Sequence, residues 1–196
     1  YVGALLERGR ERSEAERLSV AFQEADAENL PFDDDSFDVV LSTFGVMFTP
    51  NHEKAAKQML RVCRAGGKIG LANWTPESFI GRLFKTIGKY VPPAPGLKSP
   101  AMWGSKAYLD TLFAGEAIVN AQHRVFVFRY RSPAHWLEIF RNYYGPVLKT
   151  FAAIDESARK SLEQDMYALM GEFNIAEDGT LVVPSEYLEA VITKRG

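Results

Sequence analysis

Cysteine is almost absent from this sequence: Cys63 stands alone among 196 residues. A single thiol excludes an internal disulfide and fits a reducing, cytoplasmic setting. Histidine is scarce too. His52, His123 and His135 lie far apart, and each is a weak candidate for acid–base work. The acidic triplet Asp33, Asp34 and Asp35 has no bidentate ligand further along, so it reads as a solvated turn and no metal is expected. Charge of one sign is missing as well. With 23 Lys and Arg against 25 Asp and Glu, the net charge is −2, and no basic stripe invites a nucleic acid. No apolar run reaches the ~20 residues that span a bilayer. No secretory leader pattern, internal repeat or low-complexity stretch is visible.

What is there is an ordinary globular composition, 46% hydrophobic and 24% charged. It suits one domain over residues 1–196 with a sizeable core. Residues 1–15 read as a helix, with Val2, Leu5 and Leu6 apolar against a charged face. Residues 19–25 read as a short strand, and Leu30-Pro31-Phe32 with the acidic triplet as a turn. Phe37, Val39, Val40 and Leu41 form a nearly continuous apolar run, expected of a parallel strand covered on both faces. It stops at Ser42-Thr43-Phe44-Gly45, small and turn-capable residues past a strand end, where open α/β sheets bind ligands. Asn51 is a good N-cap, and Ala55, Ala56, Met59, Leu60, Val62 and Cys63 make one helix face, stopped by Gly66-Gly67. Residues 68–74 read as the next strand.

Further on, Phe79, Ile80, Leu83, Phe84, Ile87, Tyr90 and Val91 form a helical stripe that ends at a proline-rich stretch, 92–96. Ser105 opens a short helix to about Phe113. Residues 118–131 read as a long strand, and Ser132-Pro133 starts another helix. Gly145-Pro146 interrupts that helix. Residues 156–173 make a further helix, and 181–193 one or two strands broken by Pro184.

Three pieces in this order, D-A-E-x-L-P-F from Asp26, D-x-S-F-D-V-V from Asp34 and R-V-C-R-A-G-G-K from Arg61, resemble the class I S-adenosylmethionine-dependent methyltransferases. The likeness is to the small-molecule branch that includes quinone and sterol C-methylating enzymes, and it covers residues 1–74 best. It implies a Rossmann-like α/β fold, a mostly parallel sheet with helices on both faces and an antiparallel strand near the C-terminus. It also implies S-adenosyl-L-methionine as cofactor and a small-molecule acceptor. The family's glycine-rich loop and the acidic residue for the ribose are absent from this chain, and Tyr1-Val2 resembles the sequence just after that acid. The expectation is a domain lacking its N-terminal strands. The gap is then filled by unseen residues or by another chain, a homo-oligomer being one option; a non-catalytic remnant that pairs through its sheet edges is the alternative function.

The resemblance assigns Asp26-Ala27 to the adenine, a carboxylate accepting from the amino group and a backbone amide donating to the ring. On the residues alone, Asp26 equally begins a turn. The resemblance places Thr43, Phe44 and Gly45 where main-chain carbonyls hold the methionine ammonium. Met47 and Phe48 then face the substrate, or pack beneath the next helix. Trp74, Phe79 and Trp103 lie in segments that relatives use as a cover, with 75–115 as a lid over an apolar or aromatic acceptor; the other reading is plain core. His52, in a helical first turn, is expected to face solvent, and no residue stands out as a catalytic base.

Overall fold

The computed structural model describes residues 3–196; the first two positions of the expected N-terminal helix, Tyr1 and Val2, lie outside the described residues. Helix α1 (Gly3–Ala15) has only a weak apolar side, and its Leu5 is exposed. The segment after it runs along α1 without pairing. Arg10 donates to the Phe22 carbonyl at 3.3 Å, and a Cβ added to Gly9 would sit 2.6 Å from the Phe22 ring. The expected strand at 19–25 therefore does not form. Strand identity needs a ladder partner as well as β-prone residues, and none of the described strands lies beside this segment.

Among the described residues four strands form one sheet in the order β1-β2-β4-β3: β1 (Phe37–Thr43), β2 (Cys63–Trp74), β3 (Ala117–Tyr130) and β4 (Leu181–Lys194). β1 runs parallel to β2, and β4 is antiparallel to both of its neighbours. The α/β class and the antiparallel C-terminal strand are as expected, in a mixed sheet. One expectation is overturned: β1 is not covered on both faces. It lies at a sheet edge, and Val39 and Leu41 are 52% and 74% exposed.

Alternation places helices on both sides of this sheet. In β4 the buried residues are Leu181, Val183 and Ser185, then Leu188, Ala190 and Ile192. The pairing with β3 runs on without a shift, so the change of parity means that the two halves bury opposite faces. Register sets Ile69, Leu71 and Asn73 of β2 beside Ile192, Ala190 and Leu188, on the side packed by α2 (His52–Val62). The N-terminal half of β4 packs against α3 (Phe79–Gly88) and α7 (Glu156–Phe173). There Phe79, Trp136 and Phe140 assemble an aromatic core, with Trp136 stacked on Phe140 at 4.0 Å.

Most helix ends match their local chemistry. Asn51, Ser78, Ser132 and Asp155 accept from the backbone N–H three residues on, which opens α2, α3, α5 (Pro133–Tyr143) and α7. Helix α4 (Lys106–Leu112) follows Ser105, and α6 (Gly145–Ala153) begins at the predicted Gly-Pro break. α2 stops at Val62, before the glycines that were expected to end it, because Cys63 already pairs with Phe37. Gly66, with φ +72°, then serves the irregularity between Phe37 and Val39. Pro184 does not break β4. It lies opposite Val127, beyond the stretch that β2 pairs, so its missing N–H faces a locally free edge. Among the described residues no helix is long and apolar enough to cross a membrane.

Candidate active site

The chain leaves the sheet at the carboxyl end of β1 through a short, well-bonded exit. Phe44 takes a left-handed conformation, φ +54°, while its N–H donates to the Ala72 carbonyl at 2.8 Å. The flexible residue Gly45 does not carry the positive φ. Ser42 Oγ accepts from the Val46 N–H at 3.0 Å, and a 3-10 turn, Val46–Phe48, leads to α2. The Gly45 carbonyl accepts from the Phe48 N–H at 3.1 Å. Thr43 and Gly45 are exposed, while Met47 is fully buried under the turn.

Phe44 and Trp74, which end the two parallel strands, meet. Their rings stack at 4.2 Å, and Tyr187 closes on Phe44 edge-on at 5.5 Å. Phe48, 41% exposed, meets Phe84 edge-on at 5.7 Å. Two glycines let the next segments press onto the end of β2. A Cβ on Gly81 would lie 2.1 Å from the Thr75 carbonyl, and one on Gly104 would lie 2.1 Å from the Trp74 carbonyl. Trp103, beside Gly104, is fully buried against His52. Phe79 is also fully buried, but among Phe128, Trp136 and Phe173 in the core around α3 and α7. The structure thus joins Phe44 with Trp74 and turns Phe79 elsewhere.

Asp26 forms a tight local turn. Its Oδ1 accepts from the Glu28 N–H at 2.9 Å and its carbonyl from the Asn29 N–H at 2.9 Å. Glu28 in turn accepts from the Asn51 N–H at 2.7 Å, which seats the turn at the start of α2. Asp26 is exposed and Ala27 half-buried.

His52 corrects the expectation of a solvent-facing ring, being 1% exposed. Its Nδ1 lies 3.0 Å from the Tyr108 hydroxyl, and its ring packs beside Trp103. Lys98 lies 5.4 Å over the Tyr108 ring and pairs with Glu53. Burial pushes His52 below the ordinary histidine range, opposed by Glu53, and burial pushes the Tyr108 hydroxyl up. Both groups are therefore neutral at pH 7. Their 56-residue separation leaves no trace in the sequence.

Asn73 is the other residue that the reading of the sequence passed over. It is fully buried, and neither amide atom has a partner among the described residues. The signal was present, since a lone polar side chain sits inside an apolar strand, K-I-G-L-A-N-W. The Trp103 indole N–H is likewise buried without a partner among the described residues.

Known proteins resemble this chain in sequence and in fold. A family model described as a methyltransferase domain matches residues 2–71. An uncharacterised protein of Mycobacterium tuberculosis is 37% identical over 195 residues, covering 97% of this chain and 70% of its own length. A second one from that organism is 42% identical over 156 residues, 78% of this chain; the match spans only 57% of that relative. A demethylmenaquinone methyltransferase of Deinococcus radiodurans is 31% identical over 111 residues, 56% of this chain and 46% of its own. In fold, the YcgJ protein of Bacillus subtilis superposes with a TM-score of 0.64 at 17% identity, covering all of this chain and 80% of that one.

Proposed function

The chain belongs to the class I S-adenosylmethionine-dependent methyltransferases, and from that premise we propose that it transfers a methyl group to a small, apolar or aromatic acceptor. The observation that carries this reading is the pairing of an exposed backbone exit, Thr43–Phe44–Gly45, with the Phe44–Trp74 stack at the ends of the two parallel strands. Backbone at such an end suits a polar cofactor, and a wall of rings suits an apolar acceptor. The Deinococcus relative is named a demethylmenaquinone methyltransferase, and that name supports an apolar acceptor with a ring.

The residues present fit the cofactor at two places. Asp26 uses only Oδ1 in its own turn, so its exposed carboxylate would accept from the adenine amino group and the Ala27 N–H would donate to the ring. The Gly45 carbonyl is taken by Phe48, so the methionine ammonium would fall to the Thr43 and Phe44 carbonyls. When bound, S-adenosyl-L-methionine supplies an electrophilic methyl carbon whose displacement needs an aligned nucleophile and little else from the protein. Phe48 and Trp74 would line the acceptor side and exclude water, with residues 75–115 as the cover, while Met47 and Trp103, both fully buried, would support that wall without touching the acceptor. His52, neutral and bonded to Tyr108, holds the start of α2 and does not act as a base. The lone, buried Cys63 accords with action in the cytoplasm.

Titration calorimetry with S-adenosyl-L-homocysteine tests this proposal. Asp26→Ala should weaken binding by about 1.5–3 kcal/mol, the range for a hydrogen bond involving a charged group. Unchanged affinity would remove Asp26 from the site. The second reading, a chain that pairs through its sheet edge, is favoured by the open, apolar β1 with its exposed Leu41. A chain that binds no cofactor yet sediments as a dimer would favour it.

A further inference from the structure

The loop that carries Asp26 and Ala27 is tied along the whole length of α2. At the front, Glu28 holds the Asn51 N–H at 2.7 Å. At the far end, one side chain gathers the rest. Arg61 Nη1 donates to the Phe32 carbonyl and to Asp34 Oδ1, both at 2.7 Å, and Nη2 donates to the Leu30 carbonyl at 2.8 Å. Gln58, one turn earlier, accepts from Arg61 Nη2 at 2.9 Å and from the Leu30 N–H at 3.0 Å. The Arg61 carbonyl itself accepts from the Asp35 N–H at 2.9 Å. The Arg61 side chain is 30% exposed and that of Asp34 73% exposed, so the two carbonyl contacts, not the ion pair, are the sheltered part of this fork, where hydrogen bonds to a guanidinium weigh most.

A helix-dipole role for a basic residue in a last turn needs none of these contacts. The fork also does little for the core, since its acceptors belong to an irregular segment, 26–36, with few buried residues. What it does is fix that segment's backbone at Leu30 and Phe32, four and six residues beyond Asp26. From this geometry we propose that Arg61 is a positioning residue for adenine recognition: it holds the Asp26–Ala27 turn in register from the opposite end of α2, and so sets the base selectivity of the cofactor site. The inference rests on the assignment of Asp26–Ala27 to adenine made above. Lysine cannot replace this residue, because a single ammonium does not reach two carbonyls and a carboxylate in one plane.

The test compares the unaltered chain with Arg61→Lys, using S-adenosyl-L-homocysteine and S-inosyl-L-homocysteine, which exchanges the adenine amino group for an oxygen. The unaltered chain should prefer the adenine compound about tenfold or more, as a hydrogen bond from that amino group to a carboxylate implies. In Arg61→Lys the preference should collapse to within about threefold, a residual short of one such bond, and amide exchange over residues 28–36 should quicken. The melting temperature should stay close to that of the unaltered chain. Arg64→Lys, whose residue pairs with Asp38 on the surface, should leave the preference intact. A plain structural staple would weaken both compounds equally and keep their ratio, and that result overturns the inference. If Arg61→Lys does not melt cooperatively, Gln58→Leu takes its place: it removes the acceptor that Leu30 and Arg61 share, and a retained ratio there refutes the inference equally. If the unaltered chain binds both compounds alike, the adenine assignment fails and the clamp loses its ligand. If it discriminates and the variants discriminate alike, only the clamp fails.

Discussion

Replacing Asn73 by leucine should stabilise the protein. Asn73 is fully buried in β2, and both Oδ1 and Nδ2 lack a hydrogen-bond partner among the described residues. A buried polar group without a partner costs about 1–3 kcal/mol, so the two atoms together weigh roughly 2–6 kcal/mol against the fold. Leucine has the same branching and the same number of heavy atoms. Its tetrahedral carbon is bulkier, and crowding in a close-packed layer costs about 1–3 kcal/mol. The net expectation is a gain of about 2 kcal/mol, or roughly 4–8 °C in melting temperature for a chain of this size. The assay is thermal melting by circular dichroism, with denaturant unfolding to check that the slope is unchanged. Leu71→Ala, two residues away on the same face and 3% exposed, serves as the sensitivity control and should lose about 2–5 kcal/mol. A fall of several degrees for Asn73→Leu would refute the reasoning, because it would mean that the amide is satisfied by a trapped water or another group.

Other expectations follow from the same geometry. His52 is held neutral by burial, so the unfolded chain binds more protons. Stability should be full above the unfolded value near pH 6.5 and fall as the pH drops below it, by at most about 1.4 kcal/mol per pH unit, with Glu53, Glu28 and Lys98 the charges nearby. His52→Gln should flatten this dependence between about pH 5 and 7, and an unchanged pH profile counts against the burial effect. Phe44→Gly should be more stable than Phe44→Ala by about 1 kcal/mol, since both lose the stack on Trp74 but only glycine accepts φ +54° freely; equal melting temperatures would rule this out. Hydrogen exchange in α3 should be slow with or without S-adenosyl-L-homocysteine, because Phe79, Ile80 and Leu83 are buried. Any protection gained on binding should instead fall in residues 89–99, and a ligand effect centred on α3 would restore the helix as the moving part.

Local chemistry made the helices legible. Ser132-Pro133, Asn51 and the amphipathic stretch 156–173 each announce an element that the structure contains. What failed was whatever depended on a distant partner. Residues 19–25 are as β-prone as many strands, yet nothing in their composition reports whether a ladder lies alongside. The apolar run of β1 reads as doubly covered, because burial on one face and on two leaves the same letters in a strand of seven residues. The motif residues of the site were legible as a resemblance. Their support was not: Arg61 looks like any last-turn cation, and the backbone carbonyls it grips carry no side-chain signature. His52 was misplaced for a like reason, since Tyr108 and Trp103 come from a segment some fifty residues further on.

The order β1-β2-β4-β3 also has a consequence in time. Of the four described strands the last to be synthesised is the one that lies between β2 and β3, and no pairing among the described residues joins those two directly. Until residues 181–194 leave the ribosome, β2 has only β1 and β3 has no neighbour among the described strands, while the aromatic core around Phe79 and Trp136 waits for Leu181 and Val183 to floor it. A nascent chain of this protein is therefore a set of helices around an unfinished sheet, with apolar edges open to other chains. Pulse-labelled exchange during refolding should show β2, β3 and β4 gaining protection in a single phase. Early protection of β2 alone would contradict the idea that the central strand closes the sheet.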